Sequence, residues 1–407
     1  MQDIRSGHIL IVGGGIGGLT LALELRRRNI ACRVFEAAPE IKAAGVGVNL
    51  LPHSTKILAD LGLEPALARA AVETAESHFY NRFGQLIYKE ALGRRAGLGW
   101  PQFSIHRADL QQALLERAGK VELGRQCTGF EQDAEGVTLR FAEGSSVRGA
   151  AAIGCDGIHS VLRRQLFPQD GPPRYSGVNM WRGVTRWPPY LGGATMVRAG
   201  WLATGKMVIY PIRTHADGTQ LVNWVFEIET PQYQQWDWNR KARIEDFCSR
   251  VADWRFDWLD IPAMLRAADM VLEYAMVDKD PLARWTHGRV TLLGDAAHPM
   301  VPRGSNGAGQ AILDARALAE ELARAAPQQA LAAYEARRLA PTSNVVLENR
   351  RNPPDAILRE VYERTGDKPF GRVDEVISLA ELREISERYK RVAGYDRDAL
   401  KQQEGTR

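Results

Sequence analysis

The chain reads as an α/β protein, with a Rossmann-like nucleotide-binding domain interrupted by a domain built on a mixed or antiparallel sheet and followed by a C-terminal helical segment. Three observations predict this. Apolar, β-branched runs ending in glycine and an acid recur early, midway and late, as buried parallel strands do. From about residue 176 to 275 the pattern changes to short strand-like runs joined by Gly- and Pro-bearing turns. Beyond residue 350 the chain is dense in Glu, Arg and Lys. The expected boundaries are 1–75, 98–175 and 276–350 for the discontinuous nucleotide-binding domain, 76–97 and 176–275 for the second domain, and 351–407 for the helical region.

Residues 8–12 suit a buried strand, and Gly13, Gly15 and Gly18 then form G-x-G-x-x-G. Gly13 permits a tight turn, Gly15 lets a diphosphate approach the backbone, and Gly18 lets helix and strand pack closely. The helix that opens at Ile16 carries Leu19, Leu21, Ala22, Leu23 and Leu25. It ends in Arg26, Arg27 and Arg28, which suit its negative pole, with Asn29 as terminator. Its N-terminal amides would face phosphates. A second strand at 31–35 ends in Glu36, eighteen residues after Gly18, where a carboxylate reaches a ribose 2′-hydroxyl and disfavours a 2′-phosphate. Together these features specify a resident dinucleotide without choosing between FAD and NAD.

Further along, a helix is expected over 109–118 and strands over 121–123, 127–132, 137–141 and 150–155. In the second domain, strands are expected at 196–197, 207–210 and 221–227. Eight of the ten tryptophans fall there: Trp181, Trp187, Trp201, Trp224, Trp236, Trp238, Trp254 and Trp258. That density suggests an aromatic-lined cavity, although ordinary core packing accounts for most individual tryptophans. The second glycine stretch, Gly154-Cys155-Asp156-Gly157, places an acid at a strand end. The third runs from Val290 through Gly294-Asp295-Ala296-Ala297-His298-Pro299 into a loop over 301–309, with a helix expected from about Gln310. The region 351–407 reads as exposed surface helices with a frayed tail.

Composition narrows the function classes. A formal charge of +4 on 407 residues does not imply nucleic acid. The scattered Cys32, Cys127, Cys155 and Cys248 offer no C-x-x-C, so neither a zinc site nor a disulfide framework is expected, and a reducing cytoplasm is. No metal ligands, signal peptide, membrane span or internal repeat are read in the chain.

In their order and spacing, the three glycine stretches resemble the single-component FAD-dependent aromatic hydroxylases, the p-hydroxybenzoate hydroxylase-like family, over most of residues 7–350. The segments Gly45-Val46-Gly47-Val48-Asn49, Ser104-Ile105-His106-Arg107, Met180-Trp181-Arg182-Gly183-Val184-Thr185, Leu221-Val222-Asn223-Trp224-Val225 and Asn306–Asp314 are most similar to its phenazine-pathway monooxygenases. The resemblance implies an FAD-binding domain interrupted by a substrate domain. It also implies an enzyme that uses NAD(P)H and O2 to hydroxylate an aromatic or heteroaromatic substrate through a flavin C4a-hydroperoxide. Gly13, Gly15, Ile16, Gly18 and Glu36 would hold the ADP half. Arg107 would reach the diphosphate or ribityl region, Asp156 would lie near the flavin, and Asp295 would bind the ribityl chain. Amides of Gly307 and Ala308 would face flavin N1 and O2, and Val46, Gly47 and Val48 would lie along the isoalloxazine. Many relatives carry Gly-Gln-Gly where this chain has Gly304-Ser305-Asn306-Gly307, so side-chain roles of that glutamine do not transfer.

No catalytic side chain is demanded, since the flavin carries the chemistry. His298 and Pro299 are expected near the reaction face. Trp181, Arg182, Tyr210 and Trp224 are the candidates for the substrate pocket, with Arg182 pairing a substrate carboxylate or a surface acid. Only one nucleotide fingerprint is present, so NADH or NADPH would visit transiently, and the choice between them is open, as is a homodimer. The alternatives on the same fold are a tetracycline-type drug-inactivating monooxygenase, a flavin oxidase or reductase, and a non-enzymatic ligand-sensing flavoprotein.

Overall fold

The computed structural model describes residues 7–41, 46–231 and 240–402, so Gly45, Trp236 and Trp238 lie outside the described residues. A five-stranded parallel sheet runs in the order Val290–Leu292, Ala151–Gly154, Ile9–Val12, Cys32–Phe35, Val121–Glu122. Its first three strands are the ones that lead into the three glycine stretches. Their register sets Val12 level with Gly154, and Gly154 level with Leu292. The residues that follow therefore emerge together at the carboxyl edge of the sheet, where ligands of such folds bind. Both faces are covered, which is why these strands are apolar throughout: Leu10, Ile11, Ile153 and Leu292 are fully buried in one core with side chains of the helices Ile16–Arg27 and Gly307–Leu322 and of a three-stranded sheet, Ser146–Gly149, Val137–Phe141, Cys127–Gln132. Asn29 takes a left-handed conformation (φ 58°) just past the first helix, a conformation that asparagine tolerates.

The second body is an eight-stranded sheet, ordered Arg240–Ala242, Val271–Asp278, Arg174–Trp187, Gln220–Glu229, Gly205–Thr214, Thr195–Trp201, Glu76–Tyr80, Leu86–Ala91. All of its pairings are antiparallel except that of Thr195–Trp201 with Glu76–Tyr80. The strands read from sequence lie inside longer ones. Arg174–Trp187 and Val271–Asp278 were not anticipated, because glycines and charged residues (Gly177, Arg182, Gly183, Glu273) interrupt their apolar alternation.

This sheet has two unlike faces. On one, Trp181, Met207, Ile209, Val222, Trp224 and Phe226 pack with Phe247, Trp254 and Met264 into an aromatic core. Gly183 makes room for it, since a Cβ there would come within 2.2 Å of the Trp224 ring. Trp181, Trp224 and Trp254 thus fill a core rather than line a cavity. Strand alternation puts Arg182, Tyr210 and Asn223 on the opposite face, toward the parallel-sheet body.

The C-terminal helices Ala356–Thr365 and Leu379–Ala393 are exposed on one face, as expected, but each buries its other face. The helix Ala356–Thr365 buries Ile357, Leu358 and Val361 against Phe79, Ile87 and Tyr88. At its start, buried Asp355 pairs with Lys206 and, at 3.1 Å, with Arg198, while Lys206 also donates to Glu227 at 2.8 Å. The helix Leu379–Ala393 opens with a Ser378/Glu381 capping box and drives Tyr389 into the interior, where its hydroxyl donates to Asn349 at 2.6 Å. Gly304 lies under that hydroxyl: a Cβ at Gly304 would sit 1.5 Å from it.

Candidate functional site

A cavity of about 680 Å³ opens at the carboxyl edge of the parallel sheet. It is bounded by the three glycine stretches, the strand Gly47–Leu50 and one residue of the second sheet, Arg182. Of the residues expected to hold a dinucleotide, Gly13, Gly15, Ile16, Glu36, Val46, Gly47, Val48, Arg107, Asp156, Asp295, Gly307 and Ala308 all line it. Gly18 does not. A Cβ on Gly18 would stand 2.0 Å from the Gly13 carbonyl oxygen, so its part is to let the helix close on the strand. Gly15 is the converse, with nothing within 4 Å of where its Cβ would be. That is open backbone facing the cavity.

Two helices begin at this cavity. Neither the helix Ile16–Arg27 nor the helix Gly307–Leu322 has a side-chain cap or an acid in its first turn. Their free amides and positive poles therefore face the same space. The second helix starts about one turn earlier than the sequence pattern indicates, so Gly307 and Ala308 belong to its first turn. Glu36 accepts from Gly14 N at 2.7 Å and Ala38 N at 2.9 Å, which fixes its carboxylate beside the glycine turn with lone pairs to spare. Asp156 accepts from Val161 N through Oδ2, while its buried Oδ1 has no partner. Burial raises its pKa. Asp295 is exposed within the cavity beside Gly307. Amides for a diphosphate, a fixed acid for a ribose and an unpartnered acceptor for a hydroxyl suit a long nucleotide ligand.

The residues proposed from sequence for the substrate separate. Arg182 lines the cavity and donates through Nη2 to the Gly47 carbonyl at 3.1 Å. Tyr210 shares its face, and burial raises its pKa. Trp224 and Trp181 do not reach the cavity. They point into the aromatic core, where Trp224 Nε1 donates to Thr185 Oγ1 at 3.0 Å and Trp181 lies 5.3 Å from Phe247 between ring centroids. His298 and Pro299 also fail to line it. The short 3₁₀ turn Gly294–Ala296 sends His298 inward to Asp314 Oδ2 at 2.5 Å, 5.4 Å from the Trp285 ring between centroids. Arg125, Gln126, His159 and Arg164 do line the cavity and were not assigned from sequence. His159 and Arg164 follow directly on the stretch Gly154–Gly157. Arg125 is placed by stacking 4.2 Å over the Phe141 ring, which no local pattern announces.

Beneath the loop that leads to Gly307 runs a buried polar chain. Asp314 accepts from His298, from Gly294 N at 3.2 Å and from Arg338 Nε at 2.7 Å; Arg338 Nη2 donates to Gln310 at 2.6 Å; Gln310 donates to Asn306 at 3.2 Å. Burial opposes ionisation of Asp314, but His298 and Arg338 hold its carboxyl below the usual range. At the far end His53 shares Asn306 Oδ1 at 3.2 Å and stacks on Tyr395. Burial, helped by the Arg338 charge, lowers the His53 pKa from 6.5 to about 3. The unfolded chain therefore takes up a proton at His53 below about pH 6.5 that the folded chain refuses. This part of the stability is complete above that pH and falls away toward pH 3, by at most about 1.4 kcal/mol per pH unit. Urea midpoints at pH 7.5 and pH 5 are expected to differ less in His53→Gln than in the wild type. An unchanged difference would assign the acid lability elsewhere.

Among the described residues, no group of His, Cys, Asp and Glu is arranged to hold a metal ion, and no helix is long and apolar enough to cross a membrane. The FAD binding domain family matches residues 7–349. The phenazine 1,6-dicarboxylic acid hydroxylase of Lysobacter antibioticus is 40% identical over 86% of this chain and 91% of its own length. A 3-amino-4-hydroxybenzoate 2-monooxygenase of Streptomyces platensis is 38% identical over 82% and 84%. Among solved structures, Klebsiella pneumoniae HpxO complexed with FAD and uric acid aligns with a TM-score of 0.77 at 25% identity, covering 97% of each chain.

Proposed function

Because the chain belongs to the FAD binding domain family and is an FAD-dependent, hydroxylating aromatic monooxygenase, we propose that it hydroxylates a carboxylated aromatic or heteroaromatic ring bound beside Arg182 and Tyr210. The observation that carries the reading is the convergence of two uncapped helix N-termini, at Ile16 and Gly307, on one cavity of about 680 Å³. The chemistry that bound FAD supplies is acceptance of a hydride from NAD(P)H and activation of O2 for insertion of one oxygen atom into the ring.

In this reading Gly15 and the amides at the Ile16 end take the diphosphate, and Glu36 the adenosine ribose. Asp156 and Asp295 accept hydroxyls of the ribityl chain. The first-turn amides of Gly307 and Ala308, at a positive helix pole, favour negative charge on the pyrimidine side of the ring system. Val46–Val48 form the wall along it. Arg182 supplies a cation where the second sheet meets this wall, which suits a carboxylate. Both relatives named above carry acid substituents in their named substrates. The eight-stranded sheet is thus proposed as the substrate-binding body. The four free cysteines support a reducing, cytoplasmic setting.

The test is NADH and NADPH oxidation by the purified FAD enzyme with phenazine-1-carboxylate, 3-amino-4-hydroxybenzoate, salicylate and 3-hydroxybenzoate. At least one should accelerate oxidation and yield hydroxylated product in proportion to the nucleotide consumed. Hydrogen peroxide as the only product with every aromatic would overturn the proposal.

A further inference from the structure

The wall strand Gly47–Leu50 pairs through its backbone with Phe103–His106 on one side. On its other side it meets no strand among the described residues. Two side chains of the second sheet take that place at Gly47. Asn223 Oδ1 accepts from Gly47 N at 2.7 Å, and Arg182 Nη2 donates to Gly47 O at 3.1 Å. The approach is close enough to require glycine, since a Cβ there would lie 2.8 Å from Tyr210 and Ile212 and 2.9 Å from Asn223.

This arrangement determines the orientation of the Asn223 amide. A backbone N–H must meet an acceptor, so Oδ1 faces Gly47 and Nδ2 faces away. Asn223 is fully buried, and its Nδ2 has no partner; Arg182 Nε is likewise buried and unpartnered. Tyr210 pairs directly with Asn223 across the sheet, and Val184, two residues from Arg182, pairs with Asn223 on its other side, so these side chains share one face. Two side chains that both hold Gly47 thus each keep a buried donor without an acceptor, which a ligand group that accepts without donating would satisfy. A carboxylate does this.

Resting on the reading that the cavity holds FAD and that the substrate is a carboxylated aromatic, we propose that Asn223 is a specificity-determining residue. Its Nδ2, together with Arg182 Nε, binds the substrate carboxylate, while its Oδ1 holds Gly47. One amide then joins the substrate to the wall of the cofactor cavity.

Asn223→Asp separates the two roles. It keeps an acceptor for Gly47 N–H, removes the donor and places a negative charge toward the ligand. FAD affinity is measured by flavin fluorescence, and ligand affinity by the flavin difference spectrum of the oxidised holoenzyme with phenazine-1-carboxylate and with its carboxamide. The expected result is FAD affinity within about twofold of wild type, carboxylate affinity weakened about 10-fold or more, as loss of a hydrogen bond to a charged group predicts, and a much smaller change for the carboxamide. Asn223→Ala should weaken carboxylate binding and also loosen FAD. Unchanged carboxylate affinity in Asn223→Asp, or equal loss for carboxylate and carboxamide, overturns the proposal. Failure of the wild type to bind FAD would instead overturn the cofactor reading, and this one with it.

Discussion

Gly18→Ala is expected to abolish FAD retention, raising the dissociation constant by at least about 100-fold, close to 3 kcal/mol. The added Cβ would lie 2.0 Å from the Gly13 carbonyl oxygen and 3.3 Å from Cys155 Cβ. The nearest of these neighbours is backbone inside the turn that shapes the cavity, so it cannot swing aside as a side chain could. The helix Ile16–Arg27 would have to lift off the strand Ile9–Val12, taking its N-terminal amides out of reach of a diphosphate. Overpacking of this kind costs about 1–3 kcal/mol of stability as well. Gly15→Ala is the informative companion, because no protein atom lies within 4 Å of its Cβ position. That variant should melt like wild-type apoprotein and yet bind FAD poorly, its methyl group occupying ligand space. Thermal melts of both apoproteins with FAD titrations test the pair, and wild-type FAD affinity in Gly18→Ala would refute the account.

Asp314→Ala is expected to be the most destabilising single change at the site, by about 3–5 kcal/mol, because it strips the partner from a buried cation. Asp314 is fully buried and receives Arg338, His298 and Gly294 N–H together. Removing it leaves the Arg338 charge uncompensated and frees the turn that positions Asp295. Asp314→Ala combined with Arg338→Met should recover part of the loss, since an apolar pair no longer buries a lone charge. Urea denaturation of the three proteins measures this. A double variant no more stable than Asp314→Ala would mean that the ion pair is not the source of the effect.

Much of the nucleotide cavity was legible in the sequence because its parts are local. In the first stretch the strand Ile9–Val12, its glycine turn and the helix start at Ile16 are neighbours in sequence, and the other two stretches each carry a strand end with a glycine and an acid. The ends of the first helix were readable for the same reason, Asn29 included. What escaped depends on pairing across the chain. Whether Trp224 faces a ligand or a core is decided by the register of Gln220–Glu229 against Arg174–Trp187, and a strand interrupted by Gly177 and Gly183 shows no clean alternation. Asn223 is one position from Trp224 and therefore on the other face. Its part becomes visible only with Gly47, far away in sequence, against it. Asp314 sits within a recognisable segment, but its meaning comes from Arg338 on the helix Pro327–Arg351. The C-terminal helices read as surface because their charges are plentiful and their buried residues few. Tyr389 shows that one well-placed ring suffices to anchor such a helix.

The seat of Tyr389 against Gly304 has a consequence for how the protein is made. The glycine turn at Gly13 is synthesised long before Tyr389, the side chain against which the loop at Gly304 rests. At synthesis rates of about 5–20 residues per second, the nascent chain holds half a nucleotide site for many seconds before the other half can be secured. Cofactor loading is therefore a step that follows synthesis of Tyr389, and a chain cut short before it would hold the glycine turn at Gly13 without a supported loop at Gly304.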